Sequence, residues 1–445
     1  MTKPNVLILL ADQLRAQALG YSGDVNARTP SIDALANEST NFSNAITCCP
    51  LCSPARASLL TGQFPLSHRV IVNDVHLGNG VPSIASVFKN AGYDTAYIGK
   101  WHLDGSGSRS AFIPKDRRQE FGSWSVLECT HDYYHSRYWG DDDMMHRWKG
   151  YDAIAQSKAA REFMMGRDIS TPFFLVVSWG PPHDPYPAVP WRYKRRFSPG
   201  SLDLRPNVPE ISRNRSRKDL SGYYAHVSAL DDCCGMILDA IKQAGIENET
   251  IVVFTSDHGD LLGSQGLQGK QAPWDESIRI PLLVKDPRMR DRKKQAIEYP
   301  ASVPDIMPTI LSSCDFPVPA SVEGRDCSGL IAGEMAPADG AALFACYSPI
   351  CNWHETGQEY RGIRTSQYTF VRSLQGSWLL YDNIADPFQL HNLVGKEEIM
   401  DVQDQLDALL ASKLKECGDD FLPGEHYLKE FGYHVGPDGA VPYKN

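Results

Sequence analysis

The sequence predicts an α/β protein: a large, mostly parallel sheet sandwiched by helices, with a smaller C-terminal antiparallel sheet plus helix. Three observations carry this expectation. Short, almost continuously apolar runs recur at residues 6–11, 95–99, 173–179, 251–254 and 281–284, as strands buried on both faces must be. Helical patterns lie between them, at 83–90 and 223–243, and strand–helix alternation implies a parallel sheet covered on both faces. Beyond Pro337 the pattern changes. Strand-like runs follow at 343–347, 362–365, 368–371 and 378–381. A helix then places Val402, Leu406, Leu409, Leu410 and Leu414 on one face. We therefore expect a large α/β domain over 1–337 and a small α+β subdomain with a tail over 338–445. The Gly- and Pro-punctuated tail from Gly418 should drape over the surface.

A chain of 445 residues, 42% hydrophobic and 22% charged, is long enough for such a core and a smaller companion. The formal net charge of −10 argues against nucleic acid as a partner. It argues mildly against gripping any long polyanion, although a local basic pocket would evade that argument. The apolar run after Met1-Thr2-Lys3-Pro4 is too short to span a membrane and is followed by no small-residue cleavage site. With no secretory signal visible, the expected location is cytoplasmic. Eleven cysteines, an odd number with adjacent pairs at Cys48-Cys49 and Cys233-Cys234, suit a reducing compartment.

In open parallel sheets, ligands bind beyond the carboxyl ends of the strands. Two of the expected strands end in acids, Asp12 and Asp257, and a third is followed by His183. Between the first two expected strands lies Cys49-Pro50-Leu51-Cys52. A C-x-x-C pair can be redox-active or half of a zinc site, but no second pair accompanies it. Ser53-Pro54 then favours a helix start, and that helix should end near Thr61-Gly62. Cys52 would sit at the helix N-terminus, where backbone N–H groups and the dipole favour an anion. Arg56, one turn on, could point back at the same place. The residues alone are compatible with an anion site at a reactive cysteine or with a buried structural cysteine.

The insert 105–149 shows no clear helix or strand period and reads as a binding loop. It carries His131, His135 and Trp139, and Asn73 and Asp74 could also reach the site. His68, His76, His226, His391 and His434 read as ordinary structural histidines. A reach of Trp353, His354 and Arg361 into the pocket is a further expectation to examine.

The run Cys52-Ser53-Pro54-Ala55-Arg56, four residues, then Thr61-Gly62 resembles the C-x-P-x-R-x4-T-G element of the formylglycine-dependent sulfatases of the alkaline-phosphatase-like superfamily. Further stretches match in the same order: 8–13, Gly99-Lys100-Trp101-His102, Pro182-His183-Asp184-Pro185, 256–260 and Gly269-Lys270. The runs 274–282, 380–382, Asp386-Pro387 and Asn392-Leu393 also look familial, so the resemblance covers nearly the whole chain.

The resemblance implies that Cys52 is oxidised to formylglycine by a formylglycine-generating enzyme, and that a hydroxyl of the hydrated aldehyde attacks sulfur. It implies one divalent cation, calcium first with magnesium or manganese as alternatives, held by Asp12, Gln13, Cys52, Asp257 and His258. It gives Arg56 and Lys100 the formylglycine oxygens and the sulfate. His102 would take a proton as sulfate leaves, and His183 and Lys270 would contact sulfate and protonate the leaving alcohol. Gln13 and His258 stand where Asp and Asn are frequent in the family. Asp257-His258 resembles the Asp-His pairing of the phosphonate monoester hydrolases and choline sulfatases in the same superfamily. The leading expectation is a sulfatase acting on a small sulfated molecule or a terminal sulfated sugar. The alternatives are a phosphonate monoester or phosphodiester hydrolase on the same scaffold, and a non-catalytic anion-binding protein with unmodified Cys52.

Overall fold

The computed structural model describes residues 3–105, 108–168, 170–289, 296–337, 340–350, 357–437 and 439–442. The expected domain junction at 337/338 falls on Ala338 and Asp339, outside the described residues, as do Trp353 and His354.

Ten strands form the large sheet. In chain order they are β1 (Asn5–Asp12), β2 (Thr40–Phe42), β3 (Asp94–Lys100), β4 (Ser123–Leu127), β5 (Arg137–Trp139), β6 (Met145–Arg147), β7 (Phe173–Pro182), β8 (Thr250–Ser256), β9 (Leu282–Lys285) and β10 (Ala296–Ile297). Their spatial order is β10-β2-β9-β8-β1-β7-β3-β4-β5-β6. The five central strands, β8 to β4, are all parallel. Antiparallel pairing enters only towards the edges, at β8–β9, β9–β2, β4–β5 and β5–β6. The parallel core is as expected, within a sheet that is mixed at both flanks.

The alternation of a pleated strand explains the layers. On β1, Val6, Ile8 and Leu10 point into one core, and Leu7, Leu9 and Ala11 into the other. Helix α1 (Pro30–Asn37) buries Ile32 and Leu35 in the second core. Helix α2 (Cys52–Thr61) buries Ala57, Leu59 and Leu60 in the first. Helices α3 (Asp152–Met165) and α4 (Arg213–Gln243) cover the same face as α1. The long helix α4 starts ten residues before its apolar pattern does, because its first two turns are polar and bury only Ser216.

The insert 105–149 departs from its reading as an unstructured loop. It contributes β4, β5 and β6 to the sheet edge. Its strands are only three to five residues long, too short for a period to register in sequence.

The second sheet consists of β11 (Ala341–Cys346), β12 (Tyr360–Thr365), β13 (Tyr368–Ser373) and β14 (Gly376–Asp382), all antiparallel. One face packs Leu343, Ile363, Phe370 and Leu380 against Leu406, Leu410 and Leu414 of helix α5 (Met400–Glu416). The other face packs Phe344, Tyr360 and Tyr381 against Ile46 and Ile278 of the large domain. The tail does more than drape: helix α6 (Gly424–Phe431) buries Tyr427 and Leu428. Arg361 does not reach the pocket. It is fully buried and paired with Asp419 at 2.5 Å.

One local feature sets the approach to the strand ends. Gly99 has φ 109°, and a Cβ there would lie 2.0 Å from the Ser178 carbonyl oxygen, so β3 can approach β7 only with glycine at this position. Gly99→Ala is therefore expected to lower stability by about 3 kcal/mol or more, read as a fall in thermal melting temperature. An unchanged melting temperature would refute this account of the β3–β7 contact.

Candidate active site

Four neighbouring parallel strands deliver the site. In the order β8, β1, β7, β3, their carboxyl ends carry Asp257, Asp12, His183 and Lys100. Asp12 and Lys100 are the last residues of their strands, and Asp257 and His183 follow theirs by one. Strand spacing of about 4.8 Å brings four chemically active side chains to one edge of the sheet.

Helix α2 supplies the fifth group. Leu51 is its N-cap and Gly62, at φ 66°, its C-cap, with the Gly62 N–H donating to the Ser58 carbonyl. Cys52 is thus the first helical residue. Asn73 accepts from the Ser53 N–H at 2.9 Å and satisfies one of the open amides of that end. All ten residues of the helix are buried, so no amphipathic stripe marks it.

The Cys52 sulfur lies 3.1 Å from Lys270 Nζ, 3.3 Å from His258 Nε2 and 3.8 Å from an Asp12 oxygen. Lys270 arrives on a loop folded back on itself, with the Leu261 N–H donating to Gly269 and the Gln271 N–H to Pro50. Burial raises the Cys52 thiol, but Lys100, Lys270, His258 and His102 outweigh it and hold it well below its ordinary value. Three positions earlier, Cys49 is pushed well above its ordinary value, first by burial. The two members of the C-x-x-C run therefore sit in opposite environments. All ten described cysteines are free.

Arg56 bonds the protein groups that surround the strand ends. Nε donates to Asp257 at 3.1 Å, and one terminal nitrogen donates to the Lys100 carbonyl and to Ser178 Oγ. The other terminal nitrogen lies 3.0 Å from both Asp12 and Asp257. Four of the five N–H groups of the guanidinium are engaged in hydrogen bonds, to Asp257, the Lys100 carbonyl, Ser178 and Asp12. Arg56 thereby holds the two carboxylates in place. Burial and the Cys52 sulfur raise Asp12, but Lys100, His183 and Arg56 outweigh them and keep it well below the usual carboxylate range. Lys100 donates to Asp12 at 2.5 Å, and that carboxylate raises the lysine against the opposing effect of burial.

The donor set around Cys52 suits a cation. Ligand atoms of Asp12, Cys52, Asp257 and His258 all lie within 4.8 Å of one another. The His258 Nδ1 contacts the Gly259 carbonyl at 2.9 Å, which leaves Nε2 as the acceptor facing the carboxylates. Gln13 gives its amide N–H to Asp260 at 2.6 Å, while its carbonyl Oε1 is buried with no hydrogen-bond partner. An orphaned buried carbonyl oxygen beside two carboxylates is a ready oxygen ligand for a hard cation. Gln13 itself takes φ 65°, a backbone strain of the kind that gathers at functional sites.

The remaining expected residues are also here. His102, at φ 60°, bonds Asp74 at 2.7 Å. Burial disfavours its cation, yet Cys129 and Asp74 outweigh that and push the imidazole up to about 10. His183 is buried and its Nδ1 contacts the Asp184 carbonyl at 2.9 Å.

Several participants had no assigned role in the sequence reading. Ser178 binds Arg56, and Asp260 ties Gln13 to Tyr186. His131 stacks on His183 with ring centroids 4.4 Å apart. Burial, then His183, Lys100, Lys270 and Arg109, push it down to about 2. His135 and Trp139 instead stay on the insert, bonded to Asp132 and to the Ser110 carbonyl.

Residues 4–315 match the sulfatase family model, and residues 263–416 match the C-terminal model of N-sulphoglucosamine sulphohydrolase. The chain is similar to the ulvan-active sulfatase of Formosa agariphila, at 43% identity over 99% of this chain and 87% of that one. It is 32% identical to the endo-4-O-sulfatase of Bacteroides thetaiotaomicron, over 94% of this chain and 92% of the relative. A solved structure from work on glycosaminoglycan metabolism by Bacteroides thetaiotaomicron superposes with a TM-score of 0.83 at 29% identity, covering 96% of this chain and 99% of that one. With Cys52 at the head of a buried helix, amid two lysines, two carboxylates and two histidines, the chain belongs to the sulfatases, hydrolases of sulfate esters.

Proposed function

We propose that this sulfatase removes sulfate from a sulfated sugar, using a formylglycine made from Cys52 and one divalent cation, calcium in the first instance. The observation that carries the reading is the position of the Cys52 sulfur, central to Lys270, His258 and Asp12 within 3.8 Å. Support for a sugar substrate comes from the named activities of the ulvan-active sulfatase and the endo-4-O-sulfatase.

As formylglycine, residue 52 would supply a hydroxyl of its hydrated aldehyde as nucleophile. A cation held by Asp12, Gln13, Asp257 and His258 would polarise the sulfate oxygens. The protein's own groups do the rest. Arg56 holds both carboxylates in position to face such a cation. Lys100 and Lys270 place two positive charges where negative charge grows on sulfate. His183, with Nδ1 turned to a carbonyl, keeps Nε2 for the leaving alcohol. His102, held by Asp74, manages the proton of residue 52.

Gln13 and His258 favour a second reading, hydrolysis of phosphonate monoesters or phosphodiesters, since an amide at Gln13 leaves one negative charge fewer around the cation than the Asp that is frequent there, while His258 replaces one neutral group by another. Comparing kcat/KM for 4-nitrophenyl sulfate and a bis(4-nitrophenyl) phosphodiester separates them. We expect sulfate to be preferred. A phosphodiester preference would replace the first reading with the second.

Two further outcomes are expected. Peptide mass spectrometry across residue 52 of enzyme made in its native host should show the aldehyde, lighter than the thiol and reactive with hydrazides. Cys52→Ala should lose on the order of 10³-fold or more in sulfate release; an intact thiol in fully active enzyme would end the formylglycine reading. For the cation, elemental analysis should find one divalent ion per chain. His258→Ala should weaken its binding by about 10–100-fold and lower the melting temperature on chelation less than in the parent. Equal metal content in parent and variant would remove His258 from the ligand set.

A further inference from the structure

The net charge of −10 conceals a strong local reversal. Between residues 191 and 218 the chain carries nine Lys or Arg against two acids. Some of these cations are neutralised locally, as Arg205 is by Glu276 and Arg215 by Asp219. Lys194, Arg195, Arg217 and Lys218 make no ion pair among the described residues, and Arg195 and Lys218 are exposed. Trp191 opens the segment with its indole 73% exposed, which leaves a flat aromatic face open to a ligand.

This segment begins at the rim of the active site. His183 is followed within three residues by Tyr186, whose hydroxyl donates to Asp260 at 2.6 Å, and Asp260 in turn holds Gln13. Tyr186 lies directly on α4, where a Cβ at Gly222 would come within 2.3 Å of its carbonyl oxygen. The chain then follows that helix outward. Tyr193 bonds Asp232 at 2.7 Å, and on the way back Arg196 bonds Ser228 and the Phe197 carbonyl takes the Ser221 hydroxyl. At 1.5 Å of rise per residue, Gly222 to Asp232 spans about 15 Å. Arg217 and Lys218 lie one turn before Ser221 on the same helix. Unpaired cations are thus distributed from the site rim to about 15 Å away, with a flat indole at the far end.

Resting on the sulfated-sugar reading above, we infer that this strip binds the chain of a sulfated polysaccharide that extends beyond the sugar being desulfated. The unpaired cations face anionic groups on neighbouring sugars, and the indole packs on the apolar face of a pyranose ring. The substrate class is then a polymer carrying repeated negative charge, not a small sulfate ester. Spread-out cations of this kind raise encounter rates with a polyanion and make binding fall steeply with salt.

The test uses the full-length enzyme and two variants, the triple variant Lys194→Glu, Arg195→Glu, Arg217→Glu and the single variant Trp191→Ala. None of these residues touches the catalytic cluster. Binding of dextran sulfate is measured across a salt series, with an oligonucleotide of matched charge as comparator, and turnover of 4-nitrophenyl sulfate is measured in parallel. Ulvan serves as the polymeric substrate. The triple variant should bind dextran sulfate at least tenfold more weakly at low salt, with a flatter salt dependence. Trp191→Ala should raise KM on ulvan several-fold with kcat kept, and both variants should turn over 4-nitrophenyl sulfate within twofold of the parent. Dextran sulfate affinity within twofold of the parent would overturn the inference. So would an equal loss on the small ester, or an oligonucleotide bound tenfold more tightly than dextran sulfate. Failure of the sulfatase reading would appear separately, as absence of 4-nitrophenyl sulfate turnover in the parent while dextran sulfate still binds.

Discussion

Two buried carboxylates on adjacent parallel strands define what the rest of the site must do. Asp12 and Asp257 end neighbouring strands with no access to water. Two like charges buried side by side repel one another and would drive the strand ends apart. Arg56 prevents this by donating to both from one rigid plane, and Lys100 adds a second positive charge to Asp12. Removing one partner of such a buried array leaves an uncompensated charge, a loss of about 3–5 kcal/mol. Arg56 lies four residues after Cys52 on one helix, so both project from the same side. The group that holds the carboxylates and the group that meets the substrate are therefore spaced by a single helical turn. The spacing in Cys52-x-Pro54-x-Arg56 reads as a geometric requirement.

Much of this was legible in the sequence because the relevant signals are local. Apolar runs at 6–11, 95–99, 173–179 and 251–254 became the four strands that deliver Asp12, Lys100, His183 and Asp257. The Ser53-Pro54 start and the Thr61-Gly62 stop fixed a helix that begins at Cys52 and is capped at Gly62. What needed the structure was mostly a matter of direction. A guanidinium one turn from Cys52 can point at a substrate or at two aspartates, and sequence does not distinguish them. Arg361 looked available for the pocket, yet β12 carries it into a buried pair with Asp419.

Other features were hidden by averaging. The strands of the 105–149 insert are too short to show a period, so three sheet-edge strands read as loop. A whole-chain charge of −10 says nothing about a strip of opposite sign beside the pocket. His131 carried no signal of its own. Its place beside His183 follows from where β4 ends, next to β3 in the sheet.

The burial of helix α2 bears on the order of events in the life of the chain. Cys52 is 1% exposed, and every residue through Thr61 is buried with it. An enzyme that converted Cys52 as proposed would have to reach a side chain that the folded protein encloses. The modification proposed for Cys52 therefore belongs to the interval between synthesis and closure of the core. A chain that folds first is sealed as an unconverted thiol. On the formylglycine reading, the yield of competent enzyme would follow the competition between two rates, folding and oxidation.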